Sequence, residues 1–164
     1  LTLTGADATF HIADADFFSK LKDGALIINS SRGEVADTDA LADAVEKGRC
    51  NCCIDTWEGE PDINRRLLGL SMLATPHIAG YTAQGKANAS AAVVRAVAEK
   101  YGMPLAGWYP PGVEPSHPAP ILWDDLTASM PSYFDIGALS RELKSHPDSF
   151  EQMRDNYTYR QEYF

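Results

Sequence analysis

Four polar side chains in this sequence could together carry out acid–base chemistry on an anionic substrate: Arg32, Asp55, Glu60 and His77. An arginine fork holds a carboxylate through two parallel hydrogen bonds. A histidine exchanges a proton with a hydroxyl or carbonyl oxygen, and a neighbouring glutamate favours the protonated histidine and fixes its orientation. These residue types suit the oxidation of a 2-hydroxy acid, with Arg32 on the carboxylate and His77 taking the hydroxyl proton. The reaction also needs a hydride carrier such as a nicotinamide.

Each of these residues also has a simpler structural interpretation. Arg32 could form a surface ion pair, and Glu60, directly before Pro61, could be a solvated loop charge. Asp55 could accept hydrogen bonds from backbone amides in the turn that follows it, and His77 could be a hydrogen-bonded structural histidine. Spacing alone leaves the catalytic and the structural interpretations open.

Alternating apolar strands and helices would bring these side chains to one edge of a sheet. Strands are predicted at 25–28, Cys50–Ile54 and 72–74, and helices from Asp14, from Asp37 or Thr38 to Gly48, and over 82–101. This order predicts an α/β fold with a parallel, doubly wound sheet. The continuous apolar run at 25–28 is typical of a strand buried on both faces. Ligands bind at the carboxyl ends of strands in such sheets, which is where Arg32, Asp55 and His77 are found.

A proline after the third strand constrains the candidate histidine. Pro76 fixes its own φ and pushes Thr75 toward extended geometry. We therefore expect His77 on a short rigid turn at the mouth of the strand, ahead of a long alanine-rich helix.

The composition changes after residue 103. Six prolines lie between residues 104 and 120, too many for a helix or a central strand. This segment is predicted to be an extended connector with aromatic anchors at Trp108 and Tyr109. The chain is thus expected to divide into residues 1–103, the connector 104–120, and a C-terminal region 121–164.

The C-terminal region carries two further helix signals and an aromatic end. Helices are predicted from Asp135 or Gly137 through Leu143 and from Pro147 onward. Because a solvated tail rarely contains many aromatic residues, four of them are predicted to be buried against a partner subunit or the connector: Tyr157, Tyr159, Tyr163 and Phe164.

Composition and charge narrow the range of partners. The net charge of −9 argues against nucleic acid or an anionic membrane as the main partner, since both attract clustered Lys and Arg. No stretch approaches the roughly 20 apolar residues of a membrane span. All three cysteines lie within residues 50–53, a spacing that suits neither a metal site nor a disulfide framework, so we predict no metal. Free thiols in a buried strand fit a reducing, cytoplasmic compartment.

Three motifs resemble, in order and spacing, those of the D-isomer-specific 2-hydroxyacid dehydrogenases. They are NSSRG at 29–33, IDTWEGEP at 54–61 and TPHIAGY at 75–81. The resemblance implies that Arg32, Glu60 and His77 are the catalytic arginine, glutamate and proton-exchanging histidine. It implies NAD as the cofactor, bordered by Ser30, Ser31, Arg32, Asp55 and Gly80, with Tyr81 reaching the substrate.

The same resemblance has consequences for the whole protein. It implies that residues 1–103 are the second half of a Rossmann-type domain and that 121–164 form a small dimerisation region of a homodimer. The implied substrate is a small phosphorylated 2-hydroxy acid. No G-x-G-x-x-G turn occurs in the sequence, so the chain is expected to be the C-terminal part of a dehydrogenase and inactive alone. The alternatives are a family member acting on another acid, such as phosphoglycerate, and a non-catalytic dimerisation module.

Overall fold

A short parallel sheet organises the first part of the chain. The computed structural model describes residues 5, 7–114, 123–160 and 162, with Trp123 and Ser132 as backbone only. Three strands, β1 (Ala25–Asn29), β2 (Cys50–Ile54) and β3 (Leu73–Ala74), form a sheet in the order β1-β2-β3. Both pairs are parallel, with Ala25 opposite Cys50 and Ile54 opposite Ala74. The three predicted strands and the α/β class are confirmed.

Helices connect and follow the strands. They are α1 (Ala15–Ser19), α2 (Thr38–Glu46), α3 (Arg65–Leu70), α4 (Ala83–Tyr101), α5 (Leu126–Tyr133), α6 (Ile136–Ser145) and α7 (Phe150–Asp155), with 3₁₀ turns at Gly33–Val35, Trp123–Asp125 and Pro147–Ser149. Helix α5, which contains Pro131, was not predicted from the sequence. Proline removes a helical hydrogen bond and argues against a helix, but this helix is only eight residues long.

The predicted helix starts are set by side-chain caps. The Asp14 carboxylate accepts from the Phe17 amide at 2.9 Å, and the Asp37 carboxylate accepts from the Ala40 amide at 2.9 Å. The Thr82 hydroxyl accepts from the Gly85 amide at 3.0 Å, which starts the long helix α4. Such caps satisfy amides that have no partner within the helix, so the predictions at Asp14, Asp37 and Thr82 are confirmed.

The chain divides into two compact units. The first comprises Leu1–Ala79 and Ile136–Tyr157, and the second Gly80–Asp135 and Thr158–Phe164. These boundaries differ from the predicted division at 103 and 120. The reason is that α6 and α7 pack with the sheet of the first unit: the Ala74 amide donates to the Ser140 hydroxyl at 2.9 Å, and Leu143 and Phe150 belong to the hydrophobic core.

The sheet of the first unit has one covered face. Ala25, Ile27, Cys52 and Ile54 contribute to the core, whereas Leu26 and Ile28 are 51% and 68% exposed. Because successive side chains in a strand point to opposite faces, these two lie on the uncovered face. The prediction that 25–28 is buried on both faces is therefore wrong for this structure.

The cysteines behave as predicted. All three are free, and Cys50 and Cys52 are buried. Burial raises the pKa of both thiols, because a thiolate is disfavoured away from water. Separately, no helix among the described residues is long and apolar enough to cross a membrane.

In the second unit the C-terminal segment packs on the start of α4. The Ala83 amide donates to the Arg160 carbonyl at 3.1 Å, and the Lys86 ammonium donates to the Tyr159 hydroxyl at 2.9 Å. Tyr159 remains 43% exposed in the single chain, and Tyr157 is half-buried. Tyr163, Phe164 and the connector residues 115–120 lie outside the described residues, so burial of the aromatic end in a partner stays a prediction.

The aromatic residues predicted to anchor the connector are half-buried in this unit. The Trp108 carbonyl accepts from Arg95 Nε at 3.2 Å, and the Tyr109 hydroxyl donates to the Asn88 side chain at 3.1 Å. Both contacts tie the described start of the connector to α4.

If α7 is part of the core of the first unit, Phe150→Ala should destabilise the protein by about 3–5 kcal/mol, the usual cost of emptying a buried phenylalanine site. Phe150 is 1% exposed. Urea unfolding measures this change. Phe17→Ala is the matched control, because Phe17 is 43% exposed and should cost much less. Equal losses for the two variants would contradict the packing of α7.

Candidate active site

The central feature of the site is a histidine–glutamate pair. The distance from His77 Nδ1 to Glu60 Oε2 is 2.8 Å, and the side chains are 32% and 17% exposed. The predicted approach of Glu60 to His77 is therefore present. With the proton on Nδ1, the imidazole donates to the carboxylate and its Nε2 lone pair is left for a substrate proton.

Asp55 fixes the turn that carries His77. The Asp55 carboxylate is buried and accepts from the Thr75 hydroxyl at 2.6 Å, the Ile78 amide at 2.8 Å and the Ala79 amide at 3.0 Å. The His77 amide donates to the Asp55 carbonyl at 2.8 Å. These contacts therefore agree with the structural interpretation of Asp55, in which its carboxylate accepts hydrogen bonds from backbone amides.

This turn places His77 in an unusual backbone conformation. Its φ is 55°, in the left-handed region that residues other than glycine rarely adopt. Such geometry persists only where the surroundings over-determine it, and it is concentrated at functional sites. The buried Asp55 carboxylate on one side and Pro76 on the other supply that constraint.

Glu60 lies on a loop that is tied to the end of β3. The Trp57 amide donates to Glu60 Oε1 at 2.7 Å. Trp57 is itself 3% exposed, and its indole N–H donates to the Thr75 carbonyl at 2.9 Å. The loop after β2 and the turn after β3 are therefore held together by Trp57 as well as by the acid–base pair.

A second set of contacts anchors the same loop to α2 and to the chain before α1. Glu58 accepts from the Thr38 hydroxyl at 2.8 Å and lies 2.8 Å from His11 Nε2. His11, Trp57 and Glu58 were not predicted from the sequence as supporting residues. The only signal was the aromatic residue in the polar loop, since the partners of Glu58 are distant in sequence.

The turn after β1 touches the same loop through a glycine. A Cβ built on Gly33 would lie 2.0 Å from the Trp57 carbonyl carbon and 2.2 Å from the Glu58 nitrogen. Only glycine fits there, because the obstructing atoms are backbone. The turn itself is closed by Asn29, whose side-chain amide donates to the Arg32 carbonyl at 2.9 Å.

Arg32 and the two serines before it are exposed at this turn. The Arg32 guanidinium donates to the Ser31 carbonyl at 2.6 Å. Within the described residues it makes no hydrogen bond or ion pair with Glu60 or His77. The structure thus joins Glu60 to His77 directly and leaves the Arg32 fork facing solvent.

The remaining predicted residues, Gly80 and Tyr81, belong to the second unit. A Cβ on Gly80 would meet no described atom within 4 Å, so no neighbour in this chain requires glycine there. The Tyr81 ring packs edge-on against Tyr159, with ring centroids 5.4 Å apart, and the Lys86 ammonium lies 4.1 Å from its centroid. Among the described residues no cluster of His, Cys, Asp or Glu is arranged to hold a metal ion.

Comparison with known proteins indicates which class of protein the first part of the chain resembles. Residues 1–79 match the family model described as "D-isomer specific 2-hydroxyacid dehydrogenase, NAD binding domain". Residues 1–79 are thus similar to the NAD-binding domain of that family, as the three sequence motifs indicated.

More specific similarity covers nearly the whole chain. It is 40% identical to the erythronate-4-phosphate dehydrogenase of Bacteroides thetaiotaomicron over 159 residues, 96% of this chain and 45% of the relative. It is 38% identical to the enzyme of that name from Porphyromonas gingivalis over 170 residues, 99% of this chain and 46% of the relative. The chain thus spans a little under half the length of these curated relatives.

A solved structure supports the fold. The crystal structure of a glyoxylate reductase from Paecilomyes thermophila shares 30% identity at a TM-score of 0.51, covering 63% of this chain and 33% of that one. Together with the family match it confirms a Rossmann-type parallel sheet.

Gly33→Ala should destabilise the protein by about 1–3 kcal/mol or more, because the added methyl group forces two backbone segments apart. Urea unfolding is the measurement. The control is Gly69→Ala within α3, where a Cβ meets nothing within 4 Å and alanine should be neutral or slightly stabilising. A Gly33→Ala protein as stable as the Gly69→Ala protein would show that the loop contact is absent.

Proposed function

We propose that this chain is part of an NAD-dependent dehydrogenase that oxidises 4-phospho-D-erythronate to its 2-oxo acid in cytoplasmic vitamin B6 biosynthesis. The observation that carries the proposal is the 2.8 Å contact between His77 and Glu60. This pair lies at the carboxyl edge of a sheet whose sequence matches the NAD-binding domain of the D-isomer specific 2-hydroxyacid dehydrogenases. The identity of about 40% to relatives named erythronate-4-phosphate dehydrogenase supports the choice of substrate. The free buried thiols fit a reducing compartment.

In this mechanism His77 is the base. The proton of the substrate 2-hydroxyl passes to Nε2 of His77 as the carbon–oxygen double bond forms, and Glu60 stabilises the imidazolium through Nδ1. NAD, when bound, accepts the hydride that leaves the same carbon. Arg32, exposed on its turn, holds the substrate carboxylate with two parallel hydrogen bonds. Tyr81 contacts the substrate in this proposal.

The residues at the sheet edge are compatible with a dinucleotide. Ser30, Ser31 and Arg32 are exposed donors at this edge. Gly80, which belongs to the second unit, has open space at its Cβ position. Asp55 uses one carboxylate oxygen for Thr75 and Ile78 and the other for Ala79 alone. Because each oxygen can accept two bonds, the second oxygen can still take a donor from the nicotinamide side of the cofactor.

His77→Ala should lower kcat by roughly 10²–10⁴-fold, the usual contribution of a positioned base, and leave NAD affinity nearly unchanged. Steady-state assays with 4-phospho-D-erythronate and NAD titration of the natural-length protein measure both. Glu60→Gln should cause a smaller loss, because the base remains but its orientation and charge partner are weakened.

The control for this series is His146→Ala, which removes an exposed histidine outside the pair. Full activity of His77→Ala, or faster turnover of phosphoglycerate than of 4-phospho-D-erythronate by the unaltered protein, would overturn the proposed function or its substrate.

We also propose that the protein is a homodimer and that residues 121–164 contribute to its interface. Leu126 and Ile136 in this region are 40% and 42% exposed, and apolar side chains of this kind are commonly covered at subunit contacts.

Leu126→Asp and Ile136→Asp should each weaken the dimer at least about tenfold, since a buried unpaired carboxylate is strongly unfavourable. Sedimentation equilibrium of the natural-length protein measures the change. Val97→Asp, at a 44% exposed site in α4, is the matched control. A monomer before any substitution would refute the proposal.

A further inference from the structure

A guanidinium from the C-terminal helix approaches the acid–base pair. Arg154 Nη1 lies 3.7 Å from Glu60 Oε2, the same oxygen that lies 2.8 Å from His77 Nδ1. All three residues belong to the first unit. Oε2 of Glu60 therefore has both the His77 imidazole and the Arg154 guanidinium as neighbours. Its other oxygen, Oε1, accepts a hydrogen bond from the Trp57 amide.

The packing of α7 determines where this arginine lies. Phe150 is 1% exposed in the core, and Arg154, one helical turn later, lies on the same side of the helix. Its guanidinium carbon is 5.9 Å from the centroid of the Phe150 ring. The burial of Phe150 thus directs Arg154 toward the loop that carries Glu60.

The contacts of Arg154 are electrostatic. Its nitrogens lie 3.7 Å from Glu60, 3.7 Å from Glu151 and 4.0 Å from Asp155, all beyond hydrogen-bond distance. The side chain is 26% exposed, so these interactions are less screened than those of a fully exposed pair. Glu151 and Asp155 lie on the same helix, and Glu60 is the one of the three that belongs to the candidate site.

We propose that Arg154 is a positioning residue for the Glu60–His77 pair: its charge attracts the Glu60 carboxylate and holds it turned toward Nδ1 of His77. This inference rests on the proposed function. A Glu60 carboxylate held in this orientation accepts a hydrogen bond from Nδ1–H and so favours the tautomer whose Nε2 is free to receive the substrate proton. Arg154 thereby acts through Glu60 and not on the substrate.

The first test reads the tautomer of His77 without turnover. In the natural-length protein, ¹⁵N chemical shifts of the neutral His77 ring should report the Nδ1–H form, and Arg154→Gln should increase the share of the Nε2–H form. Arg154→Lys should restore most of the original distribution, because it keeps the charge. An unchanged tautomer distribution in Arg154→Gln would overturn the inference.

The second test separates action through Glu60 from direct substrate binding. Arg154→Gln should lower kcat about three- to tenfold with little change in KM, and it should cause no further loss when combined with Glu60→Gln. A raised KM with kcat retained, or an equal additional loss in the Glu60→Gln background, would overturn the positioning role. Thermal unfolding of each variant checks that the fold is retained.

The matched control is Arg65→Gln. Arg65, in α3, pairs with Asp148 in the 3₁₀ turn before α7. The variant therefore also removes an ion pair to this part of the chain, but it leaves Glu60 untouched. It should change neither the tautomer nor kcat. If Glu60→Gln and His77→Ala leave activity intact while the tautomer still responds to Arg154, the proposed function fails and the positioning contact stands.

Discussion

The buried carboxylate of Asp55 is the interaction on which the candidate site depends. It links the end of β2 to the turn after β3 through three hydrogen bonds, two of them to backbone amides. Hydrogen bonds to a charged group contribute about 1.5–3 kcal/mol each, enough to offset the roughly 1–3 kcal/mol that a left-handed backbone costs a residue such as His77. Without this carboxylate the turn would relax, and the imidazole would no longer be aimed at Glu60.

The turns after β1 and β3 both pack against the loop that carries Glu60. Trp57 connects the Glu60 loop to the carbonyl of Thr75, and Gly33 allows the turn after β1 to lie against the same loop. The Glu60 loop therefore contacts the turn after β1 through backbone atoms at Gly33 and the turn after β3 through the Trp57 indole.

Local signals explain why much of the fold was predictable from the sequence. The caps at Asp14, Asp37 and Thr82 act over three residues, and the strands are short apolar runs between turns. The approach of Glu60 to His77 was predictable because parallel strands deliver their carboxyl ends to one edge of the sheet. The same rule did not join Arg32 to the pair, since its fork projects from an exposed turn.

The failures have a common physical origin in packing between segments distant in sequence. An apolar run such as 25–28 indicates a strand, but which face is covered depends on helices elsewhere. The amphipathic pattern of α6 and α7 did not identify the sheet as their partner, and hence neither the burial of Phe150 nor the approach of Arg154 to Glu60 was foreseen. Helix α5 was not predicted because Pro131 is a strong local signal against a helix. A helix of only eight residues can nevertheless contain it.

The charge distribution bears on how an anionic substrate could be held by so acidic a chain. A net charge of −9 repels an anion at long range, but salt screens that field within about 8–10 Å under physiological conditions. Recognition is then decided by groups in direct contact. Arg154 is already surrounded by the carboxylates of Glu60, Glu151 and Asp155, whereas Arg32 contacts only a backbone carbonyl. Of these two guanidinium groups, Arg32 is therefore the one accessible to an external carboxylate, as the proposed function requires, whereas Arg154 already has carboxylates of its own chain as neighbours.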